Sequence, residues 1–165
     1  QTPRCCEASG SPGGAPVHYR LINTCIDQDE RACEWKIDTK SLRSNKPCLT
    51  RTYRPYFGDF LFYIRAKQSS DRRGGRSIGA AAGRGCIDVK RVSTVRGLSV
   101  RLLSVTVGSV ERRVAHDFDT DGLSCRVQGM WSLEEAAESS REGAAVLTFH
   151  FGIVAAHTGG VQDDD

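Results

Sequence analysis

The chain lacks the features that mark common metal sites and membrane segments. It has no CxxC pair, no HxxxH pair and no run of about 18 apolar residues. These absences argue against a zinc site of the usual kind and against a membrane-spanning helix. The chain begins at Gln1 without a charged and then apolar leader, so we expect that any signal peptide has been removed.

Methionine and aromatic residues are also scarce, whereas cysteine is not. The 165 residues include one methionine and 7% aromatic residues, but seven cysteines. A chain of this length forms one domain or two very small ones. Disulfides stabilise such thin cores in secreted proteins, and secretion is therefore our expectation. Metal binding by the cysteines of a cytosolic protein is the competing interpretation.

The cysteines begin with an adjacent pair, Cys5 and Cys6. Adjacent cysteines bond to each other only with strain, so in an oxidising compartment we expect two separate partners. Residues 17–23 have strand character, and a second strand begins at Cys33. A polar turn at residues 41–47 then predicts a hairpin that ends near Cys48.

The segment after Pro55 has the spacing of an amphipathic helix. Its apolar residues follow the i, i+3, i+4, i+7 pattern, and they are Phe57, Phe60, Leu61 and Ile64. We predict a helix here that covers the core. The alternative is a buried strand over residues 60–64, because periodicity cannot decide so short a run.

The adjacent cysteines, the strand, Cys33, the hairpin near Cys48 and the following helix together resemble a CC chemokine. The resemblance covers about residues 1–68. It implies an α+β fold, with a chemokine-like module of a three-stranded antiparallel sheet and one helix. It also implies the disulfides Cys5–Cys33 and Cys6–Cys48.

The cysteine count is odd, so one thiol is left over. Cys86 and Cys125 could pair within the second half of the chain, which leaves Cys25. Cys25 could form an intermolecular disulfide, or it could be a buried free thiol. It could also take the role that the resemblance gives to Cys33, which would shift the strand pairing.

The rest of the chain predicts a linker and a β-rich extension. Residues 69–85 are rich in glycine, serine and arginine, as in a flexible linker or long loop. Residues 86–165 form the expected second domain. It contains a strand with a bulge or break at Leu102 and Leu103, and a late strand over residues 147–153. Ser132 and Glu135 fit a capping box, which predicts a short helix over residues 133–142.

Basic residues recur in clusters, although the formal net charge is only +3. A strand that alternates cations with apolar residues puts its charges on one face, and such a face attracts polyanions. Binding of a sulfated glycosaminoglycan is therefore one expectation, and an ordinary solvated face is the other. The candidate residues are Arg72, Arg73, Arg76, Lys90, Arg91, Arg96, Arg101, Arg112 and Arg113.

Three other patterns carry less weight. Asp117, Asp119 and Asp121 resemble the start of a calcium loop, but Gln128 stands where a bidentate Glu is needed, so we expect a turn. The four histidines are scattered, and disulfides remove most thiols from nucleophilic chemistry. We therefore expect no enzyme activity, no metal and no cofactor. Aromatic residues are not interleaved with the cations, and nucleic acid is not an expected partner.

A chemokine-like module with such an extension resembles the chemokine-like proteins of cytomegaloviruses, including subunits that join the glycoproteins through which these viruses enter cells. The resemblance implies a secreted or virion-surface binding protein that acts in immune modulation or in infection. Its partners would be a host receptor, a glycosaminoglycan, a viral glycoprotein complex or a second copy of itself. The alternative is a disulfide-stabilised effector or toxin secreted by a plant-associated fungus.

Overall fold

The described part of the chain consists of nine strands and two short helices. The computed structural model describes residues 28–67 and 77–155. The strands are β1 (Gln28–Asp38), β2 (Cys48–Tyr53), β3 (Phe60–Ala66), β4 (Arg84–Arg91), β5 (Leu98–Val107), β6 (Val110–Asp117), β7 (Ser124–Arg126), β8 (Trp131–Ser132) and β9 (Ala144–Ala155). The helices are α1 (Thr39–Leu42) and α2 (Leu133–Glu138).

The strands form two antiparallel sheets that pack face to face. Sheet A has the order β1-β9-β5-β6, and sheet B has the order β2-β3-β4-β7, with β8 also paired to β4. The rings of Phe62 in sheet B and Phe149 in sheet A stack with their centroids 4.0 Å apart. The rings of Phe60 and Phe151 also meet between the sheets, tilted by 47° and with their centroids 4.9 Å apart. The fold is therefore a β-sandwich, and its aromatic core lies between the sheets.

The prediction of an α+β, chemokine-like fold is wrong. A chemokine-like module needs one three-stranded sheet crossed by a helix, whereas the described residues form sheets of four and five strands. The inner faces of the two sheets cover each other, so no helix is needed to bury either of them.

The helix predicted from Phe57 onward is also wrong, and the alternative, a buried strand, is correct. Residues 60–66 form β3, in which Phe60, Phe62 and Ile64 are fully buried and the residues between them are not. Helical and strand spacings share Phe60 and Ile64, and the sequence pattern could not separate them. Strands paired on both sides of β3 favour the pleated conformation, which suits aromatic and β-branched residues.

The expected hairpin between Cys33 and Cys48 is not formed. β1 pairs with β9 in sheet A, while β2 pairs with β3 in sheet B. The helix α1 makes the crossing between the sheets, and the Asp38 carboxylate caps it by accepting a 2.7 Å hydrogen bond from the backbone N–H of Ser41. Residues 17–23, the other expected strand of this half, lie outside the described residues.

Three predictions for the second half are confirmed in substance. Residues 144–155 form the long strand β9, and β5 changes register between Leu102 and Ser104 against both of its neighbours. At this bulge Leu103 lies over Gly152, where an added Cβ would approach its side chain to 3.3 Å. The helix α2 begins after Ser132 as predicted, although the Ser132 side chain makes no capping hydrogen bond and the helix ends at Glu138.

Both halves of the chain contribute to one core. β1 pairs with β9, and β3 pairs with β4 across the expected linker at residues 69–85. Residues 84–85 already belong to β4, and Ile78 is fully buried, with its N–H donating to the Lys46 carbonyl at 2.8 Å. Residues 69–76 lie outside the described residues.

Candidate functional site

A groove of about 800 Å³ lies between β6 and β7, the edge strands of the two sheets. At this side of the sandwich neither strand has a further strand paired to it among the described residues. The groove is lined by charged side chains from both edges, and by the buried Cys125. The charged lining residues are Arg112, Arg113, Asp121 and Arg126, and His116 also lines the groove.

Arg112 connects the two edges of this groove. It lies on β6, and its guanidinium donates to the carbonyls of Gln128 at 3.0 Å and Met130 at 2.9 Å. The same group lies 3.9 Å from the centroid of the Trp131 ring, a cation–π contact. Gly129 permits this approach, because an added Cβ would lie 2.6 Å from Arg112 Nη1. No carboxylate neutralises Arg112 among the described residues, so its charge remains available to the groove.

A second groove of about 490 Å³ lies on the outer face of sheet B and shares Cys125 and Arg126 with the first. Its centre is Asp88, whose carboxylate accepts from Arg126 at 2.8 Å and from Arg65 at 2.9 Å. Burial alone would raise the pKa of Asp88, but the hydrogen bonds from Arg126 and Arg65 outweigh it, and the pKa lies below its usual value. Two cations share one carboxylate, so this triad carries a net positive charge.

The two grooves form one continuous surface, because Arg126 lines both. We call it the cationic surface. Five lysine and arginine side chains and two aspartates line it, which leaves an excess of three positive charges. Its basic residues are Arg65, Lys90, Arg112, Arg113 and Arg126. The exposed side chain of Lys90 forms no ion pair among the described residues, and neither does that of Arg113.

The structure divides the basic residues that the sequence proposed as one set. Lys90, Arg112 and Arg113 lie on the cationic surface, whereas Arg96 is exposed in the loop before β5. Arg101 is paired with Asp117 at 3.1 Å. Arg72, Arg73 and Arg76 lie outside the described residues.

Arg91 cannot contact a polysaccharide, so the prediction that it belongs to the glycosaminoglycan-binding set is wrong. Its side chain has no exposed area, and its Nη1 pairs with Asp119 at 3.1 Å. Arg91 follows Ile87 and Val89 at alternate positions of β4, which places all three on the inner face.

Sequence reasoning missed Arg65 and Arg126. Arg65 lies in the segment predicted as a helix or its end, and Arg126 stands alone next to Cys125. Their common partner Asp88 comes from a third strand, and only the register of the sheet brings the three together. The signal available in the sequence was weak, because each residue is a single charge between uncharged neighbours.

The aspartates of the calcium-like sequence form a turn, as predicted. The Asp121 N–H donates to the Asp117 carbonyl at 2.8 Å, and the Asp121 carboxylate accepts from the Asp117 N–H at 2.9 Å. Asp119 accepts from Arg91 and from the backbone N–H of Val100. These carboxylates are thus occupied by hydrogen bonds. Among residues 28–67 and 77–155, no group of three side chains has the arrangement of a metal site.

The expected Cys86–Cys125 disulfide is not formed. Cys125 is buried on the inner face of sheet B opposite Val89, whereas Cys86 is half-buried on the outer face. Three positions separate Cys86 from Val89, and side chains an odd number of positions apart lie on opposite faces of a strand. The two thiols therefore lie on different sides of the same sheet.

The two disulfides implied by the chemokine resemblance, Cys5–Cys33 and Cys6–Cys48, stay predictions. Cys33 and Cys48 are free thiols in the structure, the first in the core and the second half-buried. Their implied partners Cys5 and Cys6 lie outside the described residues, as does Cys25.

Cys125 is poorly suited to act as a nucleophile, although it lines both grooves. Its burial raises the pKa of the thiol to about 11, with smaller contributions from the charges of Asp88 and Asp121. At neutral pH the side chain is therefore the thiol, whereas the thiolate is the reactive form.

Comparison with known proteins gives no relative for this chain. No protein-family model matches it. No curated protein and no solved structure matches it either. Neither described helix has the length and apolar character needed to cross a membrane.

Proposed function

We propose that this protein is a recognition protein that binds an acidic polysaccharide, such as a sulfated glycosaminoglycan, on the cationic surface. The observation that supports this most is the continuity of the two grooves through Arg126, with an excess of three positive charges along them. A linear polyanion can contact cations in both grooves at once, whereas a compact anion can fill only one.

The arrangement of the cations suits sulfate groups. Guanidinium groups offer planar pairs of donors, and charge-assisted hydrogen bonds are about twice as strong as neutral ones. Asp88 holds Arg65 and Arg126 on the same carboxylate, so both guanidinium groups are positioned before a ligand arrives. Preorganisation of this kind lowers the entropy lost on binding.

A polysaccharide fits the surface better than single-stranded nucleic acid does. Stacking on aromatic residues supplies much of the affinity for unpaired bases. Among the described residues, the outer groove is lined by a single aromatic residue, Tyr63. The guanidinium of Arg65 lies 5.2 Å from the centroid of its ring, so this ring already has a cation–π partner and is not free to stack on a base. Secretion and the receptor or viral partners of the sequence analysis stay predictions.

The experiment is heparin binding by two charge-matched double variants. Lys90→Ala/Arg113→Ala removes two exposed cations of the cationic surface that have no ion pair among the described residues. Lys40→Ala/Arg141→Ala removes two exposed cations that line neither groove. Both variants have the same net charge, so a difference between them measures position.

We expect the first variant to elute from heparin at lower salt than the second. Its affinity for a heparin oligosaccharide should also depend less steeply on salt, with a slope of log K against log salt smaller by about 2, one for each lost contact. Circular dichroism checks that both variants are folded. Equal elution of the two variants would contradict the proposed site.

A further inference from the structure

The cationic surface has a candidate ligand in the chain itself, the segment that follows β9. Residues 156–165 lie outside the described residues, and we call them the acidic segment. The segment contains three consecutive aspartates, Asp163, Asp164 and Asp165, and neither lysine nor arginine. Its three carboxylates match the excess of three positive charges on the cationic surface, so the two are complementary in charge.

The end of β9 lies close enough for these aspartates to reach the surface. Ala155, the last residue of β9, pairs with Leu98 of β5. Six positions further along β5, Ser104 pairs with Arg113 of β6. This is about 20 Å along β5, and β6 lies about 10 Å to the side of β9, so Arg113 is roughly 22 Å from Ala155. Asp163 is eight residues beyond Ala155, and eight extended residues span about 27 Å.

The surface holds cations that such a segment can neutralise. The exposed side chains of Lys90 and Arg113 form no ion pair within residues 28–67 and 77–155. Among the described residues, Asp121 is the one carboxylate that lines the groove between β6 and β7, and its N–H donates to the Asp117 carbonyl at the end of β6. This end of the groove is the one nearer to the end of β9. We therefore expect the aspartates to lie beyond Asp121, at Arg113 and Arg126.

Attachment of the acidic segment to β9 makes weak contacts sufficient. A single exposed ion pair contributes little to binding between separate molecules. A tethered group reaches an effective concentration in the millimolar range when a short linker spans the two sites. A separate polyanion must therefore displace the segment before it can bind the same cations.

We propose that residues 163–165 dock on the cationic surface and compete there with the acidic polysaccharide. The acidic segment is then an intramolecular inhibitor, and a ligand must carry enough charge to displace it. A long sulfated chain meets this requirement, because it contacts the cations of both grooves at once. The effect on polysaccharide binding rests on the proposed function, whereas the contact between the segment and the surface does not.

Carbodiimide cross-linking of the full chain tests this contact without any added ligand. The reagent joins a carboxylate to the amine of a nearby lysine. Two variants that keep the net charge place an amine at chosen positions, Arg113→Lys on the cationic surface and Arg96→Lys in the exposed loop before β5. Position 96 is two residues from Leu98, the partner of Ala155, so a segment that does not dock should reach it more often than position 113.

Docking reverses this order. We expect the aspartates to cross-link to position 113 about threefold more often than to position 96, because docking through several exposed ion pairs adds a factor of at least that order. Tandem mass spectrometry of the cross-linked peptides measures both yields. High salt should reduce the yield at position 113, since it screens exposed charges. Equal yields, or a higher yield at position 96, would overturn the proposal.

The effect on ligand binding is tested by Asp163→Asn/Asp164→Asn/Asp165→Asn, which removes the three charges and keeps the size of the side chains. It should bind a heparin oligosaccharide roughly 3- to 100-fold more tightly than the native protein, because each exposed ion pair contributes a factor of about 1.4 to 5. The control removes three carboxylates that line neither groove and form no ion pair among the described residues, in Glu30→Gln/Glu134→Gln/Glu138→Gln. Both variants have the same net charge, so equal tightening would refute competition by the segment.

A double-variant background locates the competition. In Lys90→Ala/Arg113→Ala, the three asparagine changes should add little to heparin affinity, and an undiminished gain would overturn docking on the cationic surface. The two proposals fail separately. Preferential cross-linking to position 113 without heparin binding would contradict the proposed function alone. Heparin binding at the cationic surface without that cross-linking preference would contradict the role of the acidic segment alone.

Discussion

Replacement of Asp119 by alanine should destabilise the fold far more than its exposure suggests. The Arg91 side chain has no exposed area, and within the described part of the chain its one ion pair is with Asp119, whose own side chain is 36% exposed. Arg91 also donates to the Phe57 carbonyl at 3.4 Å, a long hydrogen bond, and its Nε has no partner among the described residues. Asp119→Ala therefore leaves a buried guanidinium almost unpaired.

The expected cost has two parts. Breaking a buried ion pair by removing one partner usually costs about 3 to 5 kcal/mol. Asp119 Oδ2 also accepts from the backbone N–H of Val100 and from Ser99 Oγ, both at 3.0 Å, and their loss adds about 1 kcal/mol. Small domains have a total stability of about 5 to 15 kcal/mol, so a third or more of it could be lost.

Arg91→Met tests the physical reason for this cost. Methionine fills a similar volume without a charge, and the carboxylate that remains is partly solvated. We expect Arg91→Met to cost less than Asp119→Ala, and Arg91→Met/Asp119→Ala to recover much of the stability lost in Asp119→Ala. Removing the buried member of the pair should thus be milder than removing the exposed one.

Equilibrium unfolding in urea at pH 7 measures these differences. With a typical slope of about 2 kcal/mol per molar urea, Asp119→Ala should lower the midpoint by roughly 2 to 3 M. Glu111→Ala is the control, because Glu111 is exposed and makes no ion pair among the described residues. A loss below about 1 kcal/mol in Asp119→Ala, or an equal loss in Arg91→Met, would refute the reasoning.

Two further predictions concern the groove between β6 and β7. The Cys125 thiol has its pKa raised from 9.0 to about 11, so its contribution to stability is fully present below pH 9 and is lost as the pH rises through 11. The loss is at most about 3 kcal/mol. Burial also raises the pKa of Cys33 and Cys48, so between pH 8 and pH 11 the free energy of unfolding should fall less in Cys125→Ala than in the native protein, but it should not stay constant. Gly129→Ala should cost about 1 to 3 kcal/mol in backbone strain at a φ of 90°, plus the cost of displacing Arg112. Gly97→Ala has a similar φ of 81° but open space around the added Cβ, so equal losses in thermal unfolding would show that the Arg112 contact does not matter.

The sequence predicted those strands whose alternation is long and unambiguous. Leu147, Phe149, Phe151 and Ile153 share one face of β9, and their spacing fits no helix. The bulge in β5 was visible as the adjacent pair Leu102 and Leu103 because a shift of register leaves two apolar residues side by side. Local spacing was enough in both cases.

Sheet membership could not be read in this way. β1 is an ordinary alternating strand, but its partner β9 lies more than one hundred residues later, and nothing in either pattern identifies the other. The chemokine resemblance rested on cysteine spacing, which would have implied a hairpin from β1 to β2. The short helix α1 instead carries the chain from sheet A to sheet B, so strands that follow each other in sequence belong to different sheets.

The cationic surface shows why a run of basic residues in a strand does not predict a patch of charge. Lys90 and Arg91 are neighbours, yet one lies on the outer face of sheet B and the other is buried in the core. Strand geometry requires this, because successive side chains point to opposite faces. A patch must therefore be assembled from residues on different strands, as with Arg65 of β3, Lys90 of β4 and Arg126 of β7. The parity of Arg91 with Ile87 and Val89 was present in the sequence, and it predicts a buried cation that needs a carboxylate partner. The identity of that partner, Asp119, follows only from the packing of the turn after β6 against the end of β4.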